Sequence, residues 1–344
     1  MERKPHIDIA KGIAMMLVLA GHVKSCPGQL HCWLYSFHMP LFFALSGITL
    51  RIKEETPFRE FINKLIHRMI IPYFLLSIML WILTKPLEYM RGADKDYIIK
   101  SFIGIFAGYR LSEYYFTMWF ILVLIISEIV VFILFKYLYA LNGGKKTAVY
   151  SACITVVFLL IGSYTINRFH GLPWSLDLVP FGVAFIAVGM LLQPLFGIKA
   201  TVTVKNSTML IIAFCTLMIN IVCCRENHKF GGDVDLYYCH IYNAAYFAVA
   251  AISGTIFIMC ISVLMKRNAV LEYTGRNTLT FYAFNNSFAI PHATAAIMAM
   301  VSGIAKDDSR IFIFVLVLSY LILAVMTQFI CKYMPAAAGI KRQQ

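Results

Sequence analysis

The chain has 344 residues, of which 60% are hydrophobic and 14% charged, and its mean hydropathy is +0.75. That composition excludes an ordinary soluble domain and fits an all-α, polytopic integral membrane protein. The formal net charge of +13 then reports on which side of the bilayer the cations collect, and is no argument for nucleic acid.

The first apolar run, Ile7 to Val23, carries Asp8, Lys11 and His22. On an α-helix the steps from Lys11 to His22 turn through about 1100°, close to three whole rotations, so both side chains share a face roughly 16 Å apart along the axis. Asp8 falls on nearly the same stripe, where its carboxylate can pair with Lys11. A charge facing lipid costs about 3 kcal/mol or more at mid-membrane, so the stripe is expected to face protein or a wet cavity. A helix-end ion pair or a packing histidine would explain any one of these residues; three on one stripe favour a site. Gly12, Ala14, Ala20 and Gly21 permit close approach of neighbouring helices. The run lacks a small-residue cleavage site and more spans follow, so it is expected to be retained rather than cleaved as a signal peptide.

The second run, Trp33 to Leu50, begins with Ser36-Phe-His-Met-Pro-Leu-Phe-Phe and holds Ser46-Gly47 further down. The short connection from Val23 to Cys32 returns His38 to the side of His22, so two imidazoles are expected in one pocket. Next, Phe58, Phe61, Ile62 and Leu65 repeat at helical spacing and predict an amphipathic helix on the membrane surface. Its basic residues suit nucleotide phosphates or lipid head groups. Eight further apolar runs follow: Met69 to Leu83, Met118 to Leu138, Thr147 to Ser163, Leu178 to Leu195, Thr208 to Cys224, Ile241 to Met265, Thr278 to Ser302 and Ile311 to Met334. The chain is thus expected to form about ten transmembrane helices, each near the roughly 20 residues a bilayer requires, in a single domain over residues 1–344. Glu128 is buried in the fourth span without an evident partner.

With both termini cytoplasmic, the inner segments hold most of the Lys and Arg residues, which supports a multi-pass orientation in the cell membrane. The exception is the outer segment Lys85 to Tyr115, with Lys85, Arg91, Lys95, Lys100 and Arg110. This places Lys11 near the cytoplasmic face and His22 near the outer one. Trp174 and Asp177, on the same outer face, combine an aromatic platform with a carboxylate, a pairing suited to a sugar. Cys26 and Cys32 flank one outer loop, and Cys223, Cys224 and Cys239 flank another, making disulfides between them an open alternative. The histidines do not fall at a His-Glu-x-x-His spacing or beside CxxC pairs, so no metal site is expected. No phosphate-cradling glycine loop is present either.

At this point the residues resemble a known family, the membrane-bound acyltransferase-3 family, and within it the branch similar to fucose 4-O-acetylases. The resemblance covers essentially the whole chain. Lys11 and His22 match the family's opening signature of a basic residue, ten intervening residues and a histidine, with lysine in place of the usual arginine. Asp8-Ile-Ala-Lys-Gly-Ile is the form typical of the branch. Phe37-His-Met-Pro-Leu-Phe-Phe with Ser46-Gly47 matches the second span, and Arg68 with Pro72-Tyr73 the start of the third. Gly275-Arg-Asn-Thr-Leu-Thr-Phe-Tyr282 resembles the ninth-span motif, with Asn285 standing where a histidine is often found.

The resemblance implies transfer of an acyl group, usually acetyl, from cytoplasmic acyl-coenzyme A to a hydroxyl of a glycan or lipid-linked sugar. Acyl-coenzyme A is then a co-substrate, and no bound cofactor is implied. His22 is the expected catalytic residue, as base or as nucleophile, with His38 beside it as an oxyanion candidate. Lys11 and Arg68 are expected to hold the donor, Trp174 and Asp177 the acceptor, and Asp8 to support Lys11. The rival class is a transporter or flippase of a glycan or small metabolite, with the buried charges as proton relays. A third reading is an inactive relative that scaffolds glycan assembly.

Overall fold

A computed structural model describes residues 4–53, 55–111, 118–142, 146–198, 200–301, 305–306 and 308–340. Tyr115 and Ser302, which bound two of the expected segments, lie outside the described residues. The helices are α1 (Pro5–His22), α2 (Gly28–Tyr35), α3 (His38–Thr49), α4 (Phe58–Leu65), α5 (Ile71–Met90), α6 (Lys95–Ala107), α7 (Trp119–Asn142) and α8 (Thr147–Arg168). They continue with α9 (Val179–Phe196), α10 (Asn206–His228), α11 (Ala244–Leu264), α12 (Ala269–Arg276), α13 (Thr278–Phe284), α14 (Ile290–Met300) and α15 (Phe312–Tyr333). Among the described residues the only extended pairing is an isolated bridge between Asp235 and His240.

Among the described residues, seven helical segments are long and apolar enough to cross a bilayer: Phe58–Met90, Trp119–Ala140, Thr147–Arg168, Pro173–Phe196, Asn206–His228, Ala244–Leu264 and Ser309–Tyr333. The other three expected spans are α1, the pair α2 and α3, and the segment from α13 to α14. Each is diluted or broken by polar residues. Asp8, Lys11 and His22 sit in α1, the chain breaks at Ser36 and Phe37 between α2 and α3, and Asn285 and Asn286 stand in a π turn, Asn285–Ala289, between α13 and α14. The protein is therefore an all-α polytopic membrane protein, and the segments outside those seven carry His22, Lys11, Asp8 and His38.

The expected surface helix and third span are one continuous helical segment: α4 runs through a π turn, Ile66–Ile70, directly into α5. Pro72 and Pro291 each follow one of the two π turns by two residues. Proline has no N–H to offer the carbonyl four residues back and its ring crowds that carbonyl, and a widened turn relieves both. The apolar face of α4 packs on α7, with Phe61 stacked on Phe132 at 4.2 Å.

Two glycine crossings set the helix positions around α1 and α3. A Cβ at Gly275 of α12 would run into the carbonyl of Asp8, and one at Gly12 into that of Leu271, so α1 and α12 touch backbone to backbone. Gly47 of α3 and Gly189 of α9 meet in the same way. At the Lys11 end of α1, Arg276 Nε donates to Asp8 Oδ2 at 3.1 Å and Arg276 Nη2 to Glu272 Oε2 at 2.7 Å. The carboxylate expected beside Lys11 thus has a partner on α12.

Candidate active site

A cavity of about 250 Å³ opens at the His22 end of α1. Its wall includes His22, Tyr35, His38, Trp119, Asp235 and Asn285. The three segments that are less apolar than a standard span all contribute to it, and the loop between α10 and α11 closes another side with Asp235, Leu236, Tyr237 and Tyr238.

His22 ends α1, and its Nδ1 lies 2.8 Å from the carbonyl of Val18, one turn back. His38 opens α3 with the same geometry, Nδ1 to Leu34 O at 2.7 Å. A carbonyl oxygen only accepts, so each Nδ1 carries the proton and each Nε2 is left with a lone pair. Both rings are thus held in the tautomer that a general base or nucleophile needs. The ring of Tyr35 stands with both, 6.5 Å from His22 and edge-on to His38 at 4.8 Å. The expected meeting of two imidazoles in one pocket is what the fold builds.

Asp235 is the cavity's carboxylate. Its Oδ1 accepts from the Tyr237 backbone N–H at 2.8 Å, and its backbone exchanges hydrogen bonds with His240 at 2.7 and 2.8 Å. Burial pushes the Asp235 carboxyl up from the ordinary carboxylate value. On the opposite wall Asn285 is buried, its Nδ2 donating to Tyr282 O at 2.6 Å while its Oδ1 meets no hydrogen-bond partner among the described residues. Trp119 and Tyr237 meet edge to face at 6.1 Å. The lining is therefore aromatic, with a few fixed polar atoms, the pattern of a small-molecule site.

Trp174 and Asp177 are not among the lining residues. Asp177 is fully buried and takes two hydrogen bonds from Arg110, at 3.1 and 2.5 Å, and Arg110 is equally buried. Arg110 Nε also donates to Tyr237 O at 2.6 Å, while the Tyr237 hydroxyl donates to Arg110 O at 2.5 Å. Asp177 thus acts on the cavity through Arg110, by fixing the loop that carries Asp235. The thiol of Cys239, pushed up to about 11 by burial, packs against the same pair. Trp174 is half exposed, and its Nε1 donates to Phe106 O at 2.9 Å. It and Ser175 lie in the left-handed region at φ 56° and 54°, a strain of about 1–2 kcal/mol each, in the turn that leads into Asp177.

Lys11 lies on α1 well below the cavity, half-buried. Arg68 pairs with Glu128, which is nine-tenths and more buried and also accepts from Ser46 Oγ at 2.5 Å. The partner that the sequence did not reveal for Glu128 is therefore Arg68, with Ser46 of the Ser46-Gly47 notch. The structure brings His22 and His38 together and places Lys11, Arg68, Trp174 and Asp177 outside the lining of this cavity.

Asp235, Tyr237, Tyr35 and Tyr282 were not singled out by spacing. A signal existed in the stretch Asp233 to Tyr242, where Asp, Tyr, Cys and His crowd into a short connection between two apolar runs. The basic excess of the segment after Lys85 is also explained in part. Arg110 is spent on Asp177, Lys85 pairs with Glu88 at 2.8 Å, and Lys100 pairs with Asp96 at 3.1 Å.

Residues 5–333 match the acyltransferase domain of the acyltransferase-3 family, and the chain belongs to that family. No curated protein and no solved structure matches it.

Proposed function

We propose that this membrane acyltransferase moves an acetyl group from acetyl-coenzyme A to a hydroxyl of a glycan or lipid-linked sugar, as in the fucose 4-O-acetylase-like branch. The observation that carries the reading is the pair His22 and His38, each fixed through Nδ1 so that Nε2 is basic, in one cavity walled by aromatic rings.

In this reaction His22 Nε2 takes the proton of the acceptor hydroxyl as its oxygen attacks the thioester carbonyl. The imidazolium so formed keeps its Nδ1–H bond to Val18, and the proton passes to the departing thiolate. His38 lies beside it as the partner for the oxyanion. Aromatic faces at Tyr35, Trp119 and Tyr237 suit the apolar faces of a sugar ring, and Asp235 and Asn285 suit its hydroxyls. The volume is close to the low end of small-molecule pockets, about 300 Å³, and suits one sugar ring rather than a polymer segment. Lys11 and Arg68 hold the donor's phosphates from the other end of the bundle, which faces the cytoplasm in the cell membrane. Asp8 and Arg276 keep the Lys11 end of α1 in place.

The test is transfer of radiolabel from acetyl-coenzyme A to endogenous glycan in membranes holding the wild type or His22→Ala at equal expression. Label with the wild type that vanishes with His22→Ala is the expected result. Equal labelling by both overturns the role of His22, and absence of label with both returns the transporter reading.

A further inference from the structure

Outside the cavity, side chains from two distant segments converge between α2, the end of α10 and the loop after it. Cys32 Sγ lies 3.3 Å from Cys224 Sγ and 3.6 Å from His228 Nδ1. His228 Nδ1 is 2.9 Å from Asp233 Oδ1, and Asp233 Oδ2 is 2.7 Å from His31 Nδ1. Ligand atoms of Cys32, His228 and Asp233 all fall within 4.8 Å of one another. These three residues bring a thiol, an imidazole and a carboxylate together, and Cys224 Sγ rests against Cys32 although the two cysteines are separated by 192 positions in the chain.

In a tetrahedral zinc site with bonds of about 2.3 Å to sulfur and 2.0–2.1 Å to nitrogen, adjacent S and N ligands stand roughly 3.6 Å apart and two S ligands about 3.8 Å apart. The Cys32–His228 separation is such an edge. The two sulfurs are closer than that edge, but well beyond the roughly 2.05 Å of a disulfide. Thiolate and imidazole ligands select the zinc class over magnesium or calcium. The His228 side chain is 54% exposed, which opens the cluster to a cation from solvent.

We propose that Cys32, His228 and Asp233 bind one thiophilic divalent cation of the zinc class. Three protein ligands leave the fourth position of the tetrahedron to water. On binding, the Cys32 thiol releases its proton to solvent, the imidazole binds through Nδ1 with its proton on Nε2, and His31 keeps the carboxylate in place by donating to Asp233 Oδ2. Sequence spacing gave no metal signature because neither segment carries a paired motif of its own. The cation joins α2 to α10 and to the loop that brings Asp235 to the cavity, and His31 stacks on the cavity residue Tyr35 at 4.1 Å. The proposal does not depend on the acyl-transfer reading.

The experiment uses the full chain, purified in detergent with reductant and without chelator. Metal content by mass spectrometry is expected to give about one zinc per chain, and cobalt(II) exchanged into the wild type to show thiolate-to-metal charge-transfer bands with a tetrahedral ligand-field spectrum. Cys32→Ser and His228→Ala lose the metal, and Cys26→Ser and Cys223→Ser keep it. Reduced wild type with neither stoichiometric zinc nor a charge-transfer band overturns the proposal, whatever the variants do. So does undiminished binding by both Cys32→Ser and His228→Ala, or a Cys32–Cys224 disulfide in alkylated peptides from freshly isolated protein.

Discussion

Arg110 and Asp177 face each other through two hydrogen bonds, at 3.1 and 2.5 Å, with both side chains wholly out of solvent. Removing one partner strands the other as a buried charge, which costs about 3–5 kcal/mol. Asp177→Ala and Arg110→Met are each expected to lower the thermal unfolding midpoint in detergent sharply. The double replacement Arg110→Met with Asp177→Leu, which leaves no charge behind, is expected to recover much of the loss. A double variant no more stable than the singles would show that the pair matters only through Tyr237.

His22→Gln keeps a polar side chain at the end of α1 but has no basic nitrogen. Transfer is expected to fall by about 10²–10⁴-fold, the range for loss of a general base, with the unfolding midpoint nearly unchanged. Initial rates at saturating donor, measured beside the melting curves, separate a chemical defect from a folded-state one.

Asp235→Asn should divide by substrate and by pH. The amide oxygen still accepts from the Tyr237 N–H, so the loop stays in place, and the expected change is a higher KM for acceptor at an unchanged donor KM. Burial disfavours the charged carboxyl and raises its pKa in the folded state. Wild-type stability is therefore lost as pH rises through that folded value, and the variant escapes the loss. The variant's stability advantage should be present at neutral pH and close below the ordinary carboxyl pKa, where folded and unfolded chains are both protonated. Melting curves across acid and neutral pH check the sign.

Gly275→Ala places a methyl group against the carbonyl of Asp8, which is backbone and has no flexible end to move aside. Overpacking of this kind costs about 1–3 kcal/mol. The expected result is a lower melting midpoint, together with a donor KM raised by displacement of the Lys11 end of α1. Gly92→Ala, where no atom stands within 4 Å but φ is +97°, would show backbone strain without that displacement.

The helical class, the order of the spans and the meeting of His22 with His38 were all legible, because apolar run length and helical phase are local properties of a sequence. Glu128 with Arg68, Asp177 with Arg110, and Asp8 with Arg276 were not. Each of these pairs joins segments far apart in the chain, and a buried carboxylate announces that it has a partner without naming it. Asp235 escaped notice for a different reason. It lies in an irregular connection whose shape is set by its bridge to His240 and by the hold of Arg110 on Tyr237, neither of which has a periodicity to read. The three weakest apolar runs coincide with the cavity wall, so the departures from a good membrane helix were themselves informative.

The π turn Asn285–Ala289 holds one residue more than an α-helical turn would. The wider turn takes up that residue in about one rotation, so α13 and α14 stand nearly as they would in one uniform helix. Removing a single residue there would leave Tyr282 on its side of the axis and take one residue from the consecutive stretch Asn285, Asn286 and Ser287, all of which line the cavity. One codon therefore separates this lining from a helix of ordinary register, and the crowding of three consecutive polar residues into the cavity wall belongs to the widened turn.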